Sequence, residues 1–256
     1  MNIDWNAQEY SRDFSFVHHY GEDVLKLLDI QPGDTVIDLG CGNGALTAQL
    51  SEKGAHAIGI DASAEMLATA HGNYPELEFR KADALNFTVE KPVDALFSNA
   101  VFHWIDKGRQ PLLLERINRA LKLQGQLVCE FGGKGCAGRV HEALRKSFEK
   151  RGMAYTVPFY FPSIGEYTAL MEQSGFKVVY AILFDRPTHC QNGEKGLKNW
   201  IRMFDKVPFQ QMDTNMQEAI ITETEQELRN TALFHDGEWF IDYVRIRIKA
   251  IKEDNL

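Results

Sequence analysis

Short apolar runs alternate with stretches in which apolar residues recur every three or four positions, from residue 35 to about residue 131. The runs predict buried parallel strands at residues 35–39, 56–60, 77–81, 94–98 and 126–131. The periodic stretches predict helices at residues 16–28 and 109–121. They also predict one helix that begins at residue 44 and another that begins after a cap at Ser63. Strands that alternate with helices through short loops favour an α/β fold with a doubly wound parallel sheet.

The pattern is less regular after residue 131. Helices are predicted at residues 139–151, 164–174, 197–204 and 216–230, and strands at 176–184 and 240–251. We interpret Arg245, Arg247, Lys249 and Lys252 as the solvent-facing side of an edge strand, where charge discourages aggregation. The aromatic residues Tyr155, Phe159, Tyr160 and Phe161 predict either a pocket lining or the core of a lid.

A glycine-rich turn follows the first predicted strand. Residues 36–44 read Val-Ile-Asp-Leu-Gly-Cys-Gly-Asn-Gly, and the second strand ends in Asp61. Glycines at 40, 42 and 44 let the backbone turn sharply and approach a ligand, while Asp61 is placed to accept hydrogen bonds from a ribose diol. Together they predict a site for an adenosine-containing cofactor at the carboxyl ends of the strands.

The residues around this turn bear on which cofactor binds. Gly40-x-Gly42-x-x-Ala45 satisfies the loose dinucleotide pattern, so NAD stays open. Asp38, two positions before Gly40, favours a cationic methionine ammonium over a pyrophosphate. Asp-Leu-Gly-Cys-Gly-x-Gly resembles the first motif of class I S-adenosylmethionine-dependent methyltransferases. That resemblance implies that the methionine end of S-adenosylmethionine lies against Asp38, Gly40, Cys41 and Gly42.

Two further strings extend the resemblance. Lys81-Ala82-Asp83-Ala84 follows the third strand, and residues 97–104 read Phe-Ser-Asn-Ala-Val-Phe-His-Trp. With Trp5-Asn6-Ala7, the second string resembles the trans-aconitate methyltransferase branch, which includes the malonyl-carrier-protein methyltransferase; several members carry Gln where this chain has His103. The resemblance covers residues 5–131 best. It implies these further cofactor contacts: Tyr10, Asp61, Ala62, Met66, Asp83, Ala84, Ser98, Asn99, Ala100 and His103.

The resemblance also implies an architecture. It predicts a Rossmann-like seven-stranded sheet whose last strand is antiparallel. The connection between the last two strands is usually short, but here it spans about fifty residues, which we interpret as a helical lid insertion. We therefore expect one methyltransferase domain over residues 1–256, with a cofactor-binding core at 30–131 and cap or lid segments at 1–29, 132–175 and 186–238.

His103 is the candidate catalytic residue. Methyl transfer from a sulfonium is an in-line displacement for which the protein supplies alignment and desolvation. A carboxylate nucleophile needs no base, whereas a phenol, alcohol or ammonium must lose a proton, to His103 or Glu130. His103 could instead bind substrate or be structural. We expect a small-molecule acceptor, methylated at a carboxylate or hydroxyl oxygen, and Lys134, Arg139, Arg186 and His189 are candidate contacts for an anionic one.

Composition limits the partners. The formal net charge is −8, which disfavours nucleic acid and anionic membranes. The sequence shows no signal peptide or apolar run of transmembrane length, and its four cysteines have no metal-binding spacing, so a cytoplasmic protein with free thiols and no metal is expected. Two alternatives remain: an NAD-dependent oxidoreductase, although no hydride-transfer residues are recognisable, and a non-catalytic S-adenosylmethionine-binding protein.

Overall fold

The computed structural model describes residues 16–254, with side chains from Gly21 onward, so Tyr10 lies outside the described residues. Helices within this range are α1 Phe16–Leu25, α2 Ala45–Glu52, α3 Ala64–Asn73, α4 Gln110–Ala120, α5 Gly138–Glu149, α6 Ile164–Gln173, α7 Gly196–Phe204 and α8 Thr214–Leu228. The strands are β1 Thr35–Leu39, β2 His56–Asp61, β3 Glu78–Lys81, β4 Val93–Asn99, β5 Leu121–Gly132, β6 Phe176–Cys190, β7 Phe234–His235 and β8 Glu238–Lys252.

The strands form one mixed sheet in the order β3-β2-β1-β4-β5-β8-β6, and the short β7 pairs with β8. The neighbours from β3 to β5 are parallel, whereas β8 runs antiparallel to both β5 and β6. The predicted doubly wound sheet with an antiparallel last strand is therefore confirmed, and β7 is an addition that the sequence pattern did not indicate.

Side-chain caps begin the helices α3, α6 and α8. The Ser63 hydroxyl accepts the Met66 N–H, so the predicted cap of α3 is confirmed. The strand β6 runs on to Cys190, past the predicted end at residue 184 and into the segment predicted as lid. Proline is tolerated at position 187 because β6 lies at the sheet edge.

The interpretation of the last strand as an edge strand is wrong. The strand β8 lies between β5 and β6, and β6 is at the edge. Arg245 is only 8% exposed, and the Arg247 and Lys249 side chains form ion pairs while 14% and 15% exposed. Because β8 has a neighbouring strand on each side, these side chains are less exposed to solvent than those of an edge strand would be.

Two apolar layers cover the parallel part of the sheet, and a third packs beside it. Buried side chains of α4 and α6 cover one face, and those of α1 and α2 the other. A separate cluster joins α5, α7, α8 and the first half of β8 around Trp239. No helix among residues 16–254 combines the length and apolar character that crossing a membrane requires.

Candidate active site

The glycine-rich turn after β1 has the backbone conformation that its composition predicts. Gly40, Gly42 and Gly44 have φ of 80°, 54° and 84°, a region that strongly favours glycine. A Cβ added to Gly40 would lie 2.2 Å from the Val101 Cγ2 atom. The turn therefore packs closely against the loop that follows β4, which brings two of the predicted motifs together.

Asp61, at the end of β2, reaches across to the same turn. Its Oδ2 accepts the Gly42 N–H at 2.9 Å, and its Oδ1 accepts the Ser63 N–H at 2.8 Å. Desolvation raises the pKa of this half-buried carboxyl, against the opposing effect of these hydrogen bonds. A carboxylate has further lone pairs, so Asp61 can still accept hydrogen bonds from a ligand diol.

Two predicted contact residues lie beneath this surface instead of on it. Asp38 is 1% exposed, and its Oδ2 accepts the Thr47 hydroxyl at 2.7 Å. Ser98 is equally buried, and its hydroxyl donates to the Leu39 carbonyl at 2.7 Å. Neither side chain lines the cavity described next, so each can influence a ligand there only through the backbone turn or through charge.

A cavity of about 650 Å³ opens at the carboxyl edge of the sheet. Its walls bring together eleven of the predicted residues: Gly40, Cys41, Gly42, Asp61, Ala62, Met66, Asp83, Ala84, Asn99, Ala100 and His103. The glycine turn, the Asp61 carboxylate, which can accept hydrogen bonds from a diol, and the Asp83 carboxylate form a set that fits S-adenosylmethionine. We call this part of the cavity the cofactor end.

His103 lines the cavity from a short 3-10 helix that follows β4. Its Nδ1 accepts the Gly132 N–H at 3.2 Å, and its carbonyl accepts the Tyr160 N–H at 3.0 Å. Burial and the nearby Arg245 charge lower the pKa of the imidazole well below its usual value. The ring is therefore neutral at physiological pH.

Aromatic side chains enclose the far part of the cavity, which we call the acceptor end. Trp104 and Phe159 meet edge to face at 4.8 Å, and Phe159 stacks on Phe161 at 5.3 Å. The Trp200 indole N–H donates to the Tyr243 hydroxyl at 2.6 Å. Of the predicted aromatic group, Phe159, Tyr160 and Phe161 line the cavity, while Tyr155 does not.

The lining of the acceptor end includes residues that the sequence-based prediction of the site lacked, among them Trp200, Phe204, Tyr243 and Arg245. Trp200 and Phe204 are one helical turn apart on α7. Tyr243 and Arg245 are two positions apart on β8 and therefore share a face of the strand. Those spacings were visible in the sequence. What the sequence lacked was any indication of which face of β8 meets the cavity.

Several predicted polar contacts lie elsewhere. Glu130, a candidate base, is 2% exposed and forms ion pairs with Arg186 and Arg247 at 2.5 and 2.7 Å, so its proposal as a base is wrong. His189 bonds Glu238 on the surface. Lys134 and Arg139 are exposed, and neither they nor Arg186 lines the cavity.

Comparison with known proteins bears directly on this arrangement. Residues 36–125 match the family model described as a methyltransferase domain. An uncharacterised methyltransferase of Schizosaccharomyces pombe is 30% identical over 97% of this chain and 98% of its own length. A trans-aconitate 2-methyltransferase of Methylobacterium nodulans is 28% identical over 80% of this chain and 81% of its own.

Solved structures agree on the fold. A putative methyltransferase from Bacillus halodurans superposes with a TM-score of 0.63 at 14% identity, over 91% of this chain and 98% of its own. Haemonchus contortus phosphoethanolamine N-methyltransferase 2, in complex with S-adenosylhomocysteine, superposes at 0.58 with 19% identity, over 92% of this chain and 53% of its own. Because the yeast relative matches nearly end to end and the cavity carries the expected cofactor residues, this chain belongs to the class I S-adenosylmethionine-dependent methyltransferases.

Proposed function

We propose that the protein methylates a carboxylate oxygen of a small organic acid. The observation that carries this proposal is the hydrogen bond from the Gly132 N–H to His103 Nδ1. S-adenosylmethionine supplies an electrophilic methyl group, and the protein must present a nucleophile to it. The protonation state of His103, the histidine among the described residues that line the cavity, bears on which nucleophile can be used.

An amide N–H can donate only to an unprotonated ring nitrogen. In a neutral imidazole, the proton must then reside on Nε2. His103 is therefore arranged as a hydrogen-bond donor, because its Nε2 already carries a proton and could accept another only after a change of tautomer that breaks the bond from the Gly132 N–H. A donor suits an acceptor oxygen that is already ionised, because the N–H can orient it without any proton transfer.

Among the described lining residues, no buried carboxylate lies at the acceptor end. Asp61 and Asp83 belong to the cofactor end, Asp106 is exposed to solvent, and Glu130, outside the lining, is held by two guanidinium groups. A carboxylic acid is ionised at neutral pH and needs no base. An unactivated alcohol or an ammonium group would need one.

The enclosure supports a small acceptor. Cavities of a few hundred Å³ suit small molecules, and the aromatic wall around Phe159 and Trp200 excludes water from the reacting groups. We propose that residues 132–175 serve as a cap and that the lid insertion, predicted at residues 186–238, spans residues 191–237 between the end of β6 and the start of β8. The names of the trans-aconitate 2-methyltransferase relatives, in which a carboxylic acid is the substrate, point the same way.

A reducing compartment also fits. Cys41, Cys129, Cys136 and Cys190 are buried free thiols. Burial raises the pKa of each, which keeps them protonated and unreactive. We propose a cytoplasmic enzyme on this basis, acting on a small molecule and not on nucleic acid or a membrane, in keeping with its net charge of −8.

The test is product chemistry. The full chain is incubated with methyl-labelled S-adenosylmethionine and a panel of small carboxylic acids, phenols and amines. Label is expected in an acid, in a bond that mild alkali cleaves to release methanol, as a methyl ester requires. Labelling confined to phenols or amines, or an alkali-stable product, would refute carboxylate methylation.

Variants at His103 test the donor assignment separately. Gln keeps an N–H donor but is not a base, so H103Q should retain turnover within about tenfold, whereas H103L should lose more. H103A is less informative because it also opens a cavity. A loss of 100-fold or more in H103Q, with turnover in the wild type rising through a single ionisation, would instead identify His103 as a general base.

A further inference from the structure

The guanidinium of Arg245 is buried at the acceptor end, and no described carboxylate forms an ion pair with it. Arg245 is 8% exposed and lines the cavity, and its Nε has no hydrogen-bond partner. It forms no ion pair with any carboxylate between residues 21 and 254, and its Cζ lies 4.4 Å from the centroid of the Tyr243 ring. Burying an unpaired charge costs free energy, so such a group is usually matched by an anion.

Glu130, a carboxylate on the same side of the sheet, already forms ion pairs with two other arginines. Arg245 and Arg247 lie two positions apart on β8 and therefore share a face. Glu130 accepts bonds from Arg247 on β8 and Arg186 on β6, so one negative charge is shared by two positive ones. This leaves the third guanidinium facing the cavity.

The other cations of the cavity wall differ from Arg245. Lys107 is exposed and pairs with Glu166 at 2.6 Å. Arg109 is exposed to solvent, where screening weakens its attraction for a ligand. Arg245 therefore offers the strongest desolvated attraction for an anion among the described lining residues, and its charge is close enough to lower the pKa of His103.

We propose that Arg245 is the specificity-determining residue that binds a carboxylate of the acceptor, with the His103 N–H as its polar neighbour. The assignment of this anion to the acceptor rests on the proposed function. The planar guanidinium can hold a carboxylate through two parallel N–H···O bonds, which orients the acid as well as retaining it. Neutral analogues of the acid are excluded because they leave the charge unpaired.

Binding is measured by calorimetry on the full chain saturated with S-adenosylhomocysteine, with trans-aconitate, citrate and malonate as probes and malonamide as the neutral control. The wild type should bind at least one acid, with a Kd below about 1 mM, and R245M should weaken it by about 30-fold or more. R245K should recover part of the affinity. R116M should leave it within about twofold, because Arg116 also has an unpartnered Nε but lies outside the cavity.

A stability measurement separates ligand binding from a structural role. If Arg245 is unpaired in the free protein, R245M should raise the unfolding temperature without ligand while it weakens acid binding. A structural Arg245 predicts a lower unfolding temperature. Failure of the wild type to bind any of the three acids, equal binding by R245M, or destabilisation of R245M would each overturn the proposal.

The outcomes also distinguish this proposal from the proposed function. Methyl esters formed equally well by the wild type and R245M would overturn the role of Arg245 and leave carboxylate methylation standing. Acid binding that depends on Arg245, without any ester formed, would retain the anion site and refute carboxylate methylation.

Discussion

Replacing Gly40 by alanine tests how tightly the glycine turn packs against the loop after β4. Two costs are expected. Gly40 has a φ of 80°, where an alanine costs about 1 kcal/mol. The new Cβ would also lie 2.2 Å from Val101 Cγ2, and overpacking of this kind costs about 1–3 kcal/mol. G40A should therefore lower the free energy of unfolding by about 2–4 kcal/mol.

Gly33 supplies a matched control. Its φ is 92°, and an added Cβ would meet nothing within 4 Å, so G33A isolates the backbone cost. The amount by which G40A lowers the free energy of unfolding more than G33A does measures the clash with Val101. In a double-mutant cycle, V101A should recover that excess, with a coupling energy of about 1–3 kcal/mol.

The assay is urea unfolding of five proteins, the wild type, G40A, V101A, the G40A/V101A double mutant and G33A, followed by tryptophan fluorescence, with S-adenosylhomocysteine affinity measured in parallel. Because Val101 and Gly40 both line the cavity, G40A should also weaken that affinity, whereas G33A should not. Equal destabilisation by G40A and G33A, or no coupling to V101A, would refute the close packing of the turn.

Three other perturbations test separate parts of the structure. D61A should weaken S-adenosylhomocysteine binding by about 100-fold in calorimetry, because two charge-assisted hydrogen bonds to a diol are lost; unchanged affinity would refute the ribose assignment. Burial raises the pKa of Asp38 to about 7, although the Thr47 hydroxyl opposes the shift, so the folded state loses stability as the pH rises from 3.8 to about 7. Denaturation at pH 5 and pH 8 should show the part of this loss that falls between those two pH values, about 2–3 kcal/mol, in the wild type but not in D38N. The Tyr155 hydroxyl donates to buried Asp205 at 2.6 Å, so Y155F should destabilise the protein by about 1.5–3 kcal/mol, measured by urea unfolding, and a neutral result would contradict that bond.

The cofactor end was predictable because its signals are local. The β1 run, the glycine turn and the Ser63 cap each depend on residues within a few positions, and Asp61 follows the next strand by a recognisable spacing. Parallel strands then bring their carboxyl ends to one edge as a matter of topology. Sequence reasoning placed Asp38 and Ser98 in direct contact with the ligand because it could not tell which of several consecutive strand residues point inward.

The acceptor end was not predictable in the same way. Whether Arg245 faces solvent or cavity depends on β8 inserting between β5 and β6, and Glu130 meets Arg247 across 117 positions of chain. Charged residues at every second position are expected both in a solvent-exposed edge strand and in an interior strand whose charged face lines a polar cavity. Only the strands that pair with β8 distinguish these two cases.

The interior position of β8 also has a consequence for how the chain acquires its structure. The strands β5 and β6 meet each other only through residues 238–252, so both keep an open edge until that segment has been synthesised and docked. Open edges recruit other chains. A nascent or proteolysed chain that ends before Glu238 should therefore aggregate even though its glycine turn and first five strands are intact, and chaperone dependence should be greatest in that interval.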